Sequence, residues 1–480
     1  MASSSNATTS ASSERDWLKI KMNEKRFMDL MKRIIPLSKH VQNDPANGLV
    51  PKEGLVVAEL VKTLGPFMIE KGGPLKVETH SFAEGRTNVI ITCPGKKSER
   101  KYITLCGSHL DVVPVDQELW EVDPFKLTQK GDLLYGRGTT DCLGHVCLIT
   151  DLFCTLAQMC IDNGNKPVTD ASIVAVFIAS EENGGGENKG VGIDGLDKRG
   201  LLKHLKDGVL LWVDCADSKP CMATAGALQW TLKIEGRKAH SGLPHIGINP
   251  IELGFQALKY IQDRFYKDFA AKPEAKRYKF PIASSMKPTQ IRCAPGAINQ
   301  IPVWAEIKGD IRLTPFYDCS KCMDAVEQYV KDLNDRDILS LPTHGPYSKY
   351  QLGGCGDSED SAASSKEEKV PPKGKVTITF LDRESPMRGV YCNLDSTGFK
   401  ALSSAIMDVK GKCEPESLTG SLPLVQEMKE AGFDLQMVGF GMSSKYHRPN
   451  EACRLSDMDD ATKVLSSFLS QTDKSLFESP

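Results

Sequence analysis

His109 and Asp111 stand two residues apart in Cys106-Gly-Ser-His-Leu-Asp-Val-Val-Pro114, directly after an apolar run at residues 102–105. A histidine leaving a buried strand, with a carboxylate two residues on, has the spacing of a metal ligand and a group that holds the imidazole's other nitrogen. The same pair also suits a hydrogen-bonded surface loop, so its meaning depends on what else points the same way. Four further places carry ligand-type side chains. Asp141 follows the turn Gly136-Arg-Gly-Thr-Thr140, and Glu181-Glu182 follows the apolar run at 173–179. Asp214 follows the run at 209–213, and His447 lies in Ser443-Ser-Lys-Tyr-His-Arg-Pro-Asn450.

Each of these has a plain structural alternative. Asp141 suits the N-cap of a helix, Glu181-Glu182 a solvated strand end, and His447 a surface loop. Asp214 competes with Asp217, and either suits a turn. Taken together, two histidines and three carboxylates are the donor mixture that zinc accepts. Five ligands exceed the three of a single catalytic zinc, which points to two metals ~3.5–4 Å apart sharing one carboxylate. If one of the two adjacent glutamates binds metal, its neighbour is placed to accept a proton from water activated there.

Such residues need a scaffold that gathers them. Strands are predicted at 88–92, 102–106, 172–179 and 209–213, and helices at 55–64 and 142–159. The strand runs are apolar without alternation, as strands covered on both faces are. Strands alternating with helices predict a layered α/β domain with a mostly parallel central sheet. Ligands bind beyond the carboxyl ends of such strands, where His109, Glu181-Glu182 and Asp214 fall. A second rhythm follows: strand 229–234, helix 250–265, strands 289–293 and 304–313, helix 319–333, strand 375–380. That order is ferredoxin-like α+β. The first pattern then resumes with helices 397–409 and 422–430 and strand 435–440. The predicted organisation is a disordered tail at 1–15, a catalytic domain from 16–226 and 389–480, and an inserted domain at 227–388. Within the insert, the Gly/Ser/Glu/Lys-rich stretch 353–373 reads as a disordered loop. An amphipathic helix is expected from Trp17 on, through Phe27, Leu30, Met31, Ile34 and Ile35.

Composition narrows the function classes. Of 480 residues, 60 are basic and 62 acidic, a net charge of −2 that recruits neither nucleic acid nor an acidic membrane surface. No uninterrupted apolar run approaches the ~18–20 residues of a membrane span. The 15 cysteines are scattered and odd in number, which predicts a reducing, cytoplasmic setting without a disulfide framework. Cys319-x-x-Cys322 has redox-like spacing but opens a polar helix, so a structural role is expected. Gly190-Val-Gly-Ile-Asp-Gly195 has the dinucleotide-binding spacing. Roughly ten polar, glycine-rich residues separate it from the preceding strand, which argues against that use.

The motifs Ser108-His-Leu-Asp-Val-Val-Pro114, Tyr135-Gly-Arg-Gly-Thr-Thr-Asp141, Ala179-Ser-Glu-Glu182 and His447-Arg-Pro-Asn-Glu451 resemble those of the M20 family of co-catalytic metallohydrolases. Over about residues 20–470 the chain is similar to plant-type members that deacetylate N2-acetyl-L-ornithine. Gly138-Thr-Thr-Asp-Cys-Leu-Gly-His-Val146 and Asp310-Ile-Arg-Leu-Thr-Pro-Phe-Tyr317 carry much of that likeness. The resemblance implies a metal-dependent amidohydrolase yielding L-ornithine and acetate, with a dipeptidase or broader N-acyl-amino-acid aminoacylase as the alternative. It implies two divalent ions, zinc, with cobalt as the substitute. His109, Asp141 and Asp214 would hold one ion, and Asp141, Glu182 and His447 the other. Glu181 would be the general base, and Asp111 would orient His109. His240 would reach the partner subunit's site and stabilise the oxyanion. Asn299 and Arg312 would bind the substrate carboxylate, Arg312 through its planar fork; its plain alternative is a surface ion pair. The inserted domain would serve as lid and homodimer interface. Three positions depart from the wider family: Ser108 stands where glycine is usual, and Leu143 and His145 stand where lysine and glycine are common.

Overall fold

The computed structural model describes residues 20–97, 101–183, 189–345, 347–352, 373–422 and 425–477. The expected tail at 1–15 and nearly all of the expected loop at 353–373 lie outside them. Lys373, at the end of that loop, is described and bridges Gln351. The chain divides into two compact units: residues 1–222, 391–416 and 422–480, and residues 223–390 with 417–421.

The first unit is an α/β layer. Six strands of its eight-stranded sheet lie in the order Lys76–Ala83, Arg86–Cys93, Ser172–Ile178, Tyr102–His109, Gly208–Val213, Asp434–Val438. The last four run parallel, and the first two form an antiparallel hairpin at one edge. Every side chain of Ser172–Ile178 is buried, which is why its sequence shows no alternation. The edge strand Lys76–Ala83 alternates between half-buried and exposed and has few apolar residues, so pattern alone did not reveal it.

The helices follow from capping and period. Helix Glu24–Ile34 starts where the Asn23 side chain accepts the Arg26 N–H. That cap moves its start several residues past Trp17, which lies outside the described residues. Its stripe of Phe27, Leu30, Met31 and Ile34 is buried. Helix Leu143–Asp162 packs on strand Tyr102–His109 and on three other helices. By length and composition it could cross a membrane, but 78% of its apolar window is buried inside the protein, as in a core helix. Helix Leu455–Phe477 covers this layer with Met458, Ala461, Leu465, Phe468 and Leu469 buried.

The second unit is a four-stranded antiparallel sheet in the order Ser285–Cys293, Trp304–Leu313, Gly226–Glu235, Lys375–Phe380. With helices Pro250–Asp268 and Cys319–Asp332, this is the ferredoxin-like arrangement. Strand Trp304–Leu313 alternates strictly, burying Ala305, Ile307, Ile311 and Leu313, because one face meets the helices and the other does not. Asn249 and Asp318 cap the two helices. Cys319 and Cys322 are buried in this unit's core, where cysteine acts as a small hydrophobe.

Candidate metal centre

Parallel strands deliver the predicted residues to one end of the first unit's sheet. Strand Tyr102–His109 kinks between Cys106 and His109. Gly107 there has φ +92°, and a Cβ would fall 2.5 Å from the Trp212 ring, so only glycine lets the chain turn His109 inward. Ser108, one of the departures from the wider family, is buried and donates to the Val213 carbonyl at 2.7 Å. The hydroxyl ties two neighbouring strand ends together.

His109 Nε2 lies 2.9 Å from Asp141 Oδ1 and 3.6 Å from Asp214 Oδ1. Asp141 is not an N-cap: Cys142 holds that position, and no side chain caps the helix. Instead Asp141 Oδ2 points the other way, 3.1 Å from His447 Nε2. Glu182 Oε2 lies 3.1 Å from the same nitrogen. Asp141 thus gives one oxygen to each of two groups: His109, Asp141, Asp214 and Cys142, and Asp141, Glu182 and His447. Within each group the candidate donor atoms lie within 4.8 Å of one another. Glu181 faces the first group, its Oε2 3.9 Å from His109 Nε2. Asp217, the competitor of Asp214, is occupied elsewhere, accepting the Ser443 N–H and hydroxyl.

The Asp111 carboxylate does something the sequence did not suggest. His109 Nδ1 lies 2.9 Å from the Asp111 backbone carbonyl and 3.5 Å from its carboxylate. The carboxylate accepts the backbone N–H groups of Glu181 and Glu182 at 3.0 and 3.1 Å and the Asn43 amide at 2.7 Å. Asp111 therefore braces the adjacent glutamates as well as the histidine.

Glu451 stands in a quoted motif without an assigned role. It is fully buried. Its Oε1 accepts the N–H groups of Thr140 and Asp141 at 2.8 and 2.9 Å, and its Oε2 accepts Gly138 N–H and Arg137 Nη1 at 3.0 and 2.7 Å. One side chain thus fixes the loop that aims Asp141. Tyr446 donates to the Asp214 carbonyl, so the segment carrying His447 also steadies Asp214.

The electrostatics are those of a cation site. Burial opposes ionisation of Asp141, yet bonds from His109 and His447 hold it below the usual carboxylate range. Burial and the Asp141 charge push Glu182 up to about 7. Burial, then Asp214, raises Glu181 well above its ordinary value. Hydrogen bonds to Asp141 and Glu182 lift His447 to about 10. Burial disfavours the charged form of His109, but Cys142 first, then Asp111, Asp141 and Asp214, raise it nonetheless. Glu182 Oε1 is buried with no hydrogen-bond partner among the described residues, an orphaned acceptor of the kind a metal satisfies. Clustered carboxylates, two imidazoles and an orphaned oxygen fit a pair of divalent ions.

Three predicted residues lie in the second unit. His240 and Asn299 are exposed neighbours, 3.4 Å apart between Nε2 and Nδ2. The Gly242 N–H donates to His240 Nδ1 at 3.0 Å. Arg312 does form an ion pair, Nε to Asp310 Oδ2 at 2.7 Å, and its Nη1 is 3.5 Å from Ser421 Oγ. In the glycine-rich stretch, Asp194 accepts the N–H groups of Gly190 and Gly195, amides that a dinucleotide phosphate would need.

Residues 105–471 match the model of Peptidase family M20/M25/M40. The chain is 41% identical to an acetylornithine deacetylase of Arabidopsis thaliana, over 94% of this chain and 97% of that one. It is 43% identical to an acetylornithine deacetylase of Dictyostelium discoideum, over 94% and 98%. Its fold is similar to that of an M20 family metallo-carboxypeptidase of Sulfolobus solfataricus, with TM-score 0.62 and 16% identity over 94% and 99% of the two chains. An Asp141 that faces two imidazoles from one end of a parallel sheet is thus found in a chain that belongs to the M20 metallohydrolases.

Proposed function

We propose that this enzyme removes the acetyl group from N2-acetyl-L-ornithine, giving L-ornithine and acetate. The observation that carries the chemistry is Asp141, with one oxygen toward His109 and the other toward His447. The near full-length identity to acetylornithine deacetylases supports the substrate. His109, Asp141 and Asp214 would hold one divalent ion, and Asp141, Glu182 and His447 would hold the second. Two zinc ions, or cobalt in their place, would lower the pKa of water toward ~7 and polarise the amide carbonyl.

Glu181 takes a proton from the attacking water and returns it to the leaving nitrogen as the carbon–nitrogen bond breaks. The Asp111–Glu181 hydrogen bond fixes where that base stands. His240 donates from Nε2 to the developing oxyanion in a partner subunit's site. Asn299 and Arg312 hold the substrate carboxylate, with Asp310 fixing the Arg312 fork.

The inserted unit joins two copies of the chain. Its edge strand Ser285–Cys293 exposes Ile291 (57%), and its helix Pro250–Asp268 exposes Phe255 (51%). Two-fold edge pairing would cover such apolar residues, and sedimentation would show a dimer. We place the enzyme in the cytoplasm, whose reducing setting suits the buried, reduced cysteines among the described residues. The deciding experiment is turnover by metal-loaded enzyme of N-acetyl-ornithine, N-acetyl-methionine and a dipeptide. Preference for N-acetyl-ornithine is expected, and preference for either of the others overturns the assignment.

A further inference from the structure

We propose that Cys142 supplies a sulfur donor to the half of the centre formed by His109, Asp141 and Asp214, and that this sulfur selects a thiophilic ion such as zinc there over harder ions such as manganese. The inference rests on the metal-centre reading above and concerns two residues which that reading leaves unused.

Cys142 directly follows Asp141 and is fully buried. Its sulfur belongs to the group whose donor atoms all lie within 4.8 Å of one another. Bond lengths of about 2.3 Å to sulfur and about 2.1 Å to nitrogen or oxygen place donors of one ion up to ~4.4 Å apart. A tetrahedral ion sets such donors roughly 3.6 Å apart, so the group, gathered within 4.8 Å, would draw together around the ion.

His145, one helical turn on, prepares the sulfur. The Phe440 N–H donates to His145 Nε2 at 2.8 Å. An N–H cannot accept, so Nε2 carries the lone pair and Nδ1 carries the hydrogen. Nδ1 lies 3.4 Å from Cys142 Sγ, so the sulfur receives a hydrogen bond from a buried imidazole. Donors placed on ligand atoms in this way orient and tune them. As a thiol, Cys142 also reaches the Val213 carbonyl, 3.8 Å from Sγ. On metal binding the S–H bond would break, its proton would leave to solvent, and the sulfur would take the ion in its place. The His145 contact remains. Thiolate favours zinc over manganese or magnesium, so His145 and Cys142 act as one device rather than as two packing residues.

Cobalt titration of the metal-stripped, full-length chain tests this. Visible d–d bands report a bound ion, and a near-ultraviolet thiolate-to-cobalt charge-transfer band reports sulfur ligation. A background in which exposed Cys293 is serine removes a competing surface thiol. Both signals are expected at the first equivalent, and Cys142→Ser should abolish the charge-transfer band while visible bands persist. Visible bands with no charge-transfer band, or with one that Cys142→Ser leaves intact, would overturn the proposal and leave the metal-centre reading standing. Absence of any cobalt spectrum would overturn that reading and the proposal with it. If Cys142→Ser does not fold, X-ray absorption of the unsubstituted chain with one equivalent of zinc decides. A sulfur scatterer at about 2.3 Å supports the proposal, and a shell of only nitrogen and oxygen overturns it.

Discussion

The Asp111 carbonyl lies 2.9 Å from His109 Nδ1, closer than the Asp111 carboxylate at 3.5 Å. A carbonyl only accepts, so Nδ1 bears the hydrogen and Nε2 faces Asp141 and Asp214. The carboxylate is thereby released to grip Glu181 and Glu182. Asp111→Asn should leave the His109 orientation largely intact, because the backbone makes it. It should instead disturb the two glutamates, since an amide cannot accept at both ends. Activity should fall ~10–100-fold, the range for losing a partner that braces ligands. Calorimetric metal titration should show the Glu182–His447 half weakened more than the His109 half. Unchanged turnover would return Asp111 to a purely structural residue.

Glu451→Gln should be costly despite its small change in shape. The new amide would point hydrogens at Arg137 or at backbone N–H groups that already donate. Arg137 is buried, and removing one partner of a buried pair costs ~3–5 kcal/mol. Denaturant unfolding should register that loss in the first unit, together with weaker metal binding through the loosened Asp141 loop. A variant equal to the original in both measurements would remove Glu451 from the positioning of Asp141.

Much of this site was legible because its residues follow strands whose apolar runs announce them. His109, Glu181-Glu182 and Asp214 each trail a buried strand of the same parallel sheet. Asp141 was ambiguous, because a helix start and a bridging ligand both call for a carboxylate at that point. Only the side chain's direction, away from the helix N–H groups and toward two histidines, separates them. The choice between Asp214 and Asp217 likewise needed the third dimension. Glu451 was hidden by sequence distance, since its partners lie more than 300 residues away. The fold's misses have similar causes. Strand Lys76–Ala83 sits at an edge and buries little, while helix Leu455–Phe477 has a clear helical period but carries none of the chemistry that draws attention.

Metal removal gives a direct test of the paired site. Dialysis against a chelator should abolish turnover, and zinc or cobalt should restore it. A ligand bound only by the folded state stabilises by ~2.7 kcal/mol at a hundredfold excess over Kd, so the chelated chain should also melt earlier. An unchanged melting temperature together with full activity after chelation would contradict the metal centre.

Glu181 and Glu182 are chemically identical neighbours, and the proposed mechanism gives them different work. Glu182 Oε2 meets His447, and its Oε1 is buried without a partner, so Glu182→Gln should lose metal. Glu181 makes no close contact with His447; its side chain, 10% exposed, faces the His109 half from 3.9 Å. Glu181→Gln keeps the shape and the backbone bond to Asp111 but cannot take a proton. The expected result is a kcat lower by ~10²–10⁴, the range for losing a general base, with both metals still bound and KM nearly unchanged. Metal analysis beside steady-state kinetics on the two variants separates the roles. If Glu181→Gln loses metal while Glu182→Gln retains it, the assignments must be exchanged. If Glu181→Gln turns over normally, the base lies elsewhere.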